Sequence, residues 1–94
     1  MANVSTGIAL VGALKDAKTQ YSYVDRMLTD IQSQTDLCIA GEAGDAFKNC
    51  INSRKSEIVK INSLIEQIII KINNAIEAIR EREREEREAR RNNY

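Results

Sequence analysis

The sequence predicts an all-α fold, an antiparallel hairpin of two long helices, on three observations. Apolar residues recur at steps of four and three along two long stretches, proline is absent, and Gly41 and Gly44 fall in a short break between those stretches. Leu, Ile, Ala, Glu, Lys, Arg and Gln dominate elsewhere, a composition that favours helix over sheet. With 94 residues the chain makes one small domain with a modest core.

In the first stretch the apolar positions are Leu10, Leu14, Ala17, Tyr21, Val24, Leu28 and Ile31, continued by Thr35 and Cys38. Lys15, Asp16, Lys18, Asp25, Arg26 and Asp30 fall off this stripe and are expected on a solvated face. The helix is expected to start between Asn3 and Thr6, where Asn, Ser and Thr side chains can accept hydrogen bonds from the first free amides. Gly7 and Gly12 should weaken its beginning.

Between Thr35 and Asp45 the pattern breaks. Gly41 and Gly44 supply the backbone freedom of a reversal, which places the turn near residues 37–44. Glu42 and Asp45 then stand in the first turn of the next helix, where the dipole favours negative charge.

The second stretch steps through Phe47, Ile51, Arg54, Ile58, Ile61, Ile65, Ile68, Ile72, Ala75 and Ile79, with Arg54 as the one polar intrusion. Leu64, Ile69 and Ile76 are expected to flank this stripe, making an apolar face broader than one partner helix can cover. Residues 4–37 and 42–79 match in length when antiparallel, each about 50 Å long. In that register Cys50 lies several residues past the level of Cys38. The two cysteines are therefore expected to be small core residues and not a disulfide.

Residues 1–79 form the predicted hairpin and residues 80–94 a charged extension. From Arg80 to Arg91 the chain is almost entirely Glu and Arg, with nothing left to bury. Glu83 with Arg87 and Glu86 with Arg90 are favourable i,i+4 pairs, so the segment can stay helical in water and fray towards Asn92.

Several function classes are disfavoured. There is no histidine, and the two helices predict no cleft for acid–base chemistry, so the chain is not expected to be an enzyme. Two cysteines without histidine cannot make a four-ligand zinc site in one chain, and no cofactor or metal is expected. Fourteen basic residues balance 14 acidic ones, so there is no net field for nucleic acid, and RNA binding through the arginine tail is the least favoured class. No apolar run approaches the roughly 20 residues of a membrane span, and Gly7 to Leu14 lacks the flanks of a cleavable signal peptide.

At the turn the sequence reads Ile39-Ala40-Gly41-Glu42-Ala43-Gly44-Asp45-Ala46-Phe47 between helices of similar packed length. This resembles the Trp-X-Gly helical-hairpin family exported by type VII secretion systems. Gly41 takes the glycine place, Ala43 and Ala46 the small ones and Phe47 the aromatic one, while Ile39 stands at the tryptophan place. Tyr21 and Asp25 have the spacing of the family's Tyr-X-X-X-Asp/Glu element, but they lie inside helix one and are assigned to packing.

Hairpins without the full export signal are similar to the accessory partners of LXG-type effectors. The resemblance implies a non-enzymatic targeting protein that joins an effector's helical amino-terminal domain, or a second small hairpin, in a bundle for export. It also implies a cytoplasmic protein, or one exported by the type VII route without a cleavable signal. The expected partner-binding residues are Ile58, Ile61, Leu64, Ile65, Ile68, Ile69, Ile72 and Ile76, shared between the hairpin's own packing and the interface; Ile39, Gly41 and Phe47 form the turn motif. The alternative is a structural homodimer closing a four-helix bundle.

Overall fold

A computed structural model describes residues 4–92, which form two helices and no strand. Helix α1 runs Val4–Cys38 and α2 runs Gly41–Asn92, and they pack together as an antiparallel hairpin. The long axis extends 80 Å against widths of 17 and 15 Å. Asn3, one of the expected caps of α1, lies outside the described residues.

Only Ile39 and Ala40 separate the helices, a tighter reversal than the expected span of 37–44. Two glycines make it possible, for different reasons. Gly41 adopts φ +80°, a left-handed conformation that a side chain disfavours. Gly44 is a close-approach site, since a Cβ there would lie 2.5 Å from the Ile39 carbonyl oxygen. The Ile39 amide closes the end of α1 by donating to the Thr35 carbonyl at 2.9 Å. Of the two acidic residues expected to open α2, Glu42 lies in its first turn.

The seam between the helices corrects the predicted stripes. On α2 it runs through Gly44, Lys48, Ile51, Lys55, Ile58, Asn62, Ile65, Ile69, Ile72, Ile76 and Ile79, all buried or half-buried. Ile69 and Ile76, expected as flanks, are core residues, whereas Ile68 and Arg54, expected on the stripe, are exposed. On α1 the half-buried or buried positions include Val4, Gly7, Val11, Leu14, Lys18, Asp25, Leu28, Gln32 and Thr35. Lys18 and Asp25, expected in solvent, line this seam, and Leu10, Val24 and Ile31, expected inside, are exposed.

A physical reason is legible in the spacing. Each helix carries two overlapping 4–3 stripes that share Leu14, Tyr21, Leu28 and Thr35 on α1 and Ile51, Ile58, Ile65, Ile72 and Ile79 on α2. Rotation by one residue exchanges the alternate line, and in the fold three polar members of the inner line, Lys18, Gln32 and Lys48, have partners across the seam. Lys18 pairs with Glu66, Lys48 with Asp36, and Gln32 Nε2 donates to Asn52 Oδ1 at 2.7 Å. A step of 14 along α1, Lys18 to Gln32, is matched by a step back of 14 along α2, Glu66 to Asn52, so the register is constant.

The apolar core is concentrated away from the turn. Val11, Ile65 and Ile69 form its buried centre, with Leu14, Ala17, Ile61 and Ile72 packed against it. Gly7 belongs to this region because a Cβ there would sit 3.1 Å from Cδ1 of Ile76. Its role is close helix approach, beyond the weakening of the helix start that its propensity predicts. Nearer the turn, buried Ile51 and Ile58 alternate along the seam with half-buried Lys48, Lys55 and Asn62, and the buried Asn62 Oδ1 has no hydrogen-bond partner.

Beyond Ile79, α2 continues to Asn92 as the expected charged rod. The ion pair formed there is Arg84 with Glu81 at 3.1 Å, an i,i+3 pair. Both cysteines are free and exposed, which corrects the expected core position for each.

Candidate helix-docking face

The hairpin has two unlike edges. One is closed by polar contacts: Lys18 reaches Glu66, Gln32 reaches Asn52 and Asp36 reaches Lys48. The Lys18 ammonium, by hydrogen bond and then by charge, holds the Glu66 carboxyl below its ordinary range. The Asp36 carboxylate, by hydrogen bond and then by charge, raises Lys48 above the ordinary lysine value. All these groups are substantially solvated, so the edge contributes little stability, and Ile8, Val59 and Ile70 on the same side remain exposed.

The opposite edge is apolar and open. In an antiparallel pair, the residues one step before the alternate seam positions fall on the same side of both helices. On α1 these are Leu10, Ala17, Val24, Ile31 and Cys38, and on α2 they are Phe47, Arg54, Ile61, Ile68 and Ala75. Ala17 and Ile61 both pack against the Val11–Ile65–Ile69 cluster, as flanking residues on one edge should. Ala13, Gln20, Met27 and Gln34 widen the line on α1, and Cys50, Glu57, Leu64, Lys71 and Ala78 widen it on α2.

Exposure and charge distinguish this face from a solvated helix surface. Leu10 is 48% exposed, Met27 56%, Leu64 57% and Ile68 45%. None of the seven charged residues of α1 falls on its line from Leu10 to Cys38. On α2 the face holds Arg54 and Glu57, paired with each other at 2.8 Å, and Lys71. Arg54 is thus a surface residue with an intrahelical partner, not the inward intrusion that the stripe predicts.

At 100° per residue, the outer line is centred about 110° from the inner seam on each helix. That is close to the right angle that a helix of a four-helix bundle needs between its two neighbours. One seam of each helix is occupied by the hairpin partner. The other is vacant.

The eight expected partner-binding residues are divided by this geometry. Ile58, Ile65, Ile69 and Ile76 are buried between the helices and Ile72 is half-buried there. Ile61 is half-buried at the edge, and Leu64 and Ile68 look outward. Leu10, Ala13, Val24, Met27 and Ile31 join Leu64 and Ile68 on the face. Their sequence signal is the absence of charge at every 4–3 step from Leu10 to Cys38. In the turn motif, Gly41 has the left-handed backbone, while Ile39 and Phe47 are each 45% exposed and available for contact.

No group of three or more metal-ligating side chains occurs among the described residues, and no described helix is long and apolar enough to cross a membrane. A surface hollow lined by Arg80, Glu83, Arg84 and Arg87 belongs to one helix only. Compared with protein-family models, curated proteins and solved structures, the chain matches none.

Proposed function

We propose that this chain is a non-enzymatic accessory protein of a type VII secretion system, which lends its open face to the helical amino-terminal domain of an LXG-type effector and completes a helical bundle for export. The observation that carries the reading is the second, charge-free seam of α1 beside exposed Leu64 and Ile68. An apolar strip of this length is costly to leave in water and has the angular position of a bundle interface. The family resemblance supplies the biological setting, and the turn supports it: Gly41, at the family's glycine place, has φ +80°. Ile39 in place of tryptophan suits a chain that contributes packing while the partner carries the export signal.

Co-purification with the helical domain of an effector encoded beside it tests the reading. Leu64→Glu with Ile68→Glu should keep the circular dichroism of the free protein helical and abolish capture. Capture at the wild-type level by that double variant would refute the assignment of this face.

A further inference from the structure

We propose that Lys71 sets the register and direction of the helix that docks along α2, by requiring one carboxylate on that helix, placed beyond its contact with Leu64 on the side of the charged rod. The inference rests on the reading of the open face as the effector-docking surface and names the chemistry that the occupant must bring there.

The face presents three charges, and two of them answer each other. Arg54 Nη1 donates to Glu57 Oε1 at 2.8 Å, so a partner meets that pair as a neutral unit. Lys71 is exposed and, among the described residues, has no ion pair. Its own helix cannot supply one, because the positions three and four away are Gln67, Ile68, Asn74 and Ala75. Across the hairpin, the constant register sets Lys71 level with Ala13, beside the charge-free line of α1.

Its position on the helix gives this charge its weight. Seven residues turn an α-helix by about 700°, so Lys71 lies only about 20° from the direction of Leu64 and about 10 Å further along the axis. Ile68 stands between them on the same strip, and both apolar residues are about half exposed. A helix laid on Leu64 and Ile68 therefore covers the stem of Lys71 as well. An ammonium beneath it loses hydration, a cost that a facing carboxylate offsets and an apolar side chain does not. In the competing arrangement the stem lies under the partner while the ammonium bends out to water, and removal of the charge is then neutral.

The two outer lines consequently ask for different partners. From Leu10 to Cys38 the line on α1 carries no charge and accepts a helix that is apolar throughout. The line on α2 accepts a helix whose apolar stripe is interrupted once, by an acid. Lys71 thus selects which effector helix takes which position, and the placement of its partner on the rod side of Leu64 fixes the direction in which that helix runs.

Calorimetric titration of the full-length chain with the helical amino-terminal domain of the effector encoded beside it tests the proposal. Lys71→Met, which keeps the stem and removes the charge, should weaken binding about tenfold, and Lys71→Glu about a hundredfold. Lys60→Glu, the same charge change off the face, should stay within about twofold of wild type. Because Lys71 is exposed and unpaired within the hairpin, circular dichroism of each free variant should match wild type. Reversal of single carboxylates to lysine along the effector helices, each measured against Lys71→Glu, should restore affinity at one position. A Lys71→Met chain that binds as tightly as wild type, or a scan in which no reversal rescues Lys71→Glu, would overturn the assignment. Binding that Leu64→Glu with Ile68→Glu abolishes but Lys71→Met leaves unchanged would remove this inference and keep the proposed function. A wild-type chain that does not bind the domain would remove both.

Discussion

The four glycines offer a sharp test of the hairpin, because the structure assigns each a different environment and hence a different response to the same added methyl group. Gly12 has nothing within 4 Å of a built Cβ, so Gly12→Ala should raise stability by the full helix-propensity gain of about 1 kcal/mol. At Gly7 the same gain is opposed by a contact of 3.1 Å to Cδ1 of Ile76, the end of a side chain that can move, and the net change should be close to zero. Gly44 faces a backbone carbonyl at 2.5 Å that cannot move without reopening the turn, so Gly44→Ala should cost about 2 kcal/mol. Gly41→Ala places a Cβ on a backbone with φ +80° and should cost about 1 to 2 kcal/mol.

In a domain of this size, 1 kcal/mol shifts Tm by about 4–8 °C. Thermal melts followed by circular dichroism, at one protein concentration for all variants, should therefore rank Gly12→Ala above wild type, Gly7→Ala beside it, and Gly41→Ala and Gly44→Ala well below. The fixed concentration matters because any self-association adds to the apparent stability. A Gly44→Ala variant that melts at or above the wild-type temperature would refute the close approach of Ile39 and, with it, the two-residue turn.

Three further outcomes are expected. The Lys18–Glu66 contribution should be lost as pH falls through the depressed Glu66 pKa, below the ordinary glutamate value of about 4.3, and the Asp36–Lys48 contribution as pH rises through the raised Lys48 pKa, above about 10.4; pH-dependent melts of Glu66→Gln and Lys48→Met should flatten the acid and alkaline limbs respectively. Asn62→Leu should raise the urea midpoint by about 1 to 2 kcal/mol of stability, since it replaces a buried oxygen without a partner by an apolar group of similar size. Truncation after Ile79 should lower the helical signal in proportion to the residues removed while moving Tm little, because the segment from Arg80 to Asn92 is exposed along its length.

Composition and periodicity are enough to determine the helical hairpin, its antiparallel register and the place of its reversal. Each depends on local preferences: proline-free 4–3 stretches, glycines where the pattern breaks, and two stretches of matched length. The charged rod beyond Ile79 is equally local, since pairs along one helix can satisfy it. Which side of each helix turns inward is a different kind of question. A stripe wider than 100° presents two lines that share every second member, and hydrophobicity alone favours Leu10, Val24, Ile31 and Ile68 over Lys18, Asp25, Gln32 and Asn62 for the interior. The tertiary structure decides otherwise because Lys18 and Gln32 of the inner line meet Glu66 and Asn52 across the seam, and because Ile76 fills it where Ala75 would not. Those pairings join residues 48 and 20 positions apart, so no window along the chain contains them. The open face is what remains when that choice is made.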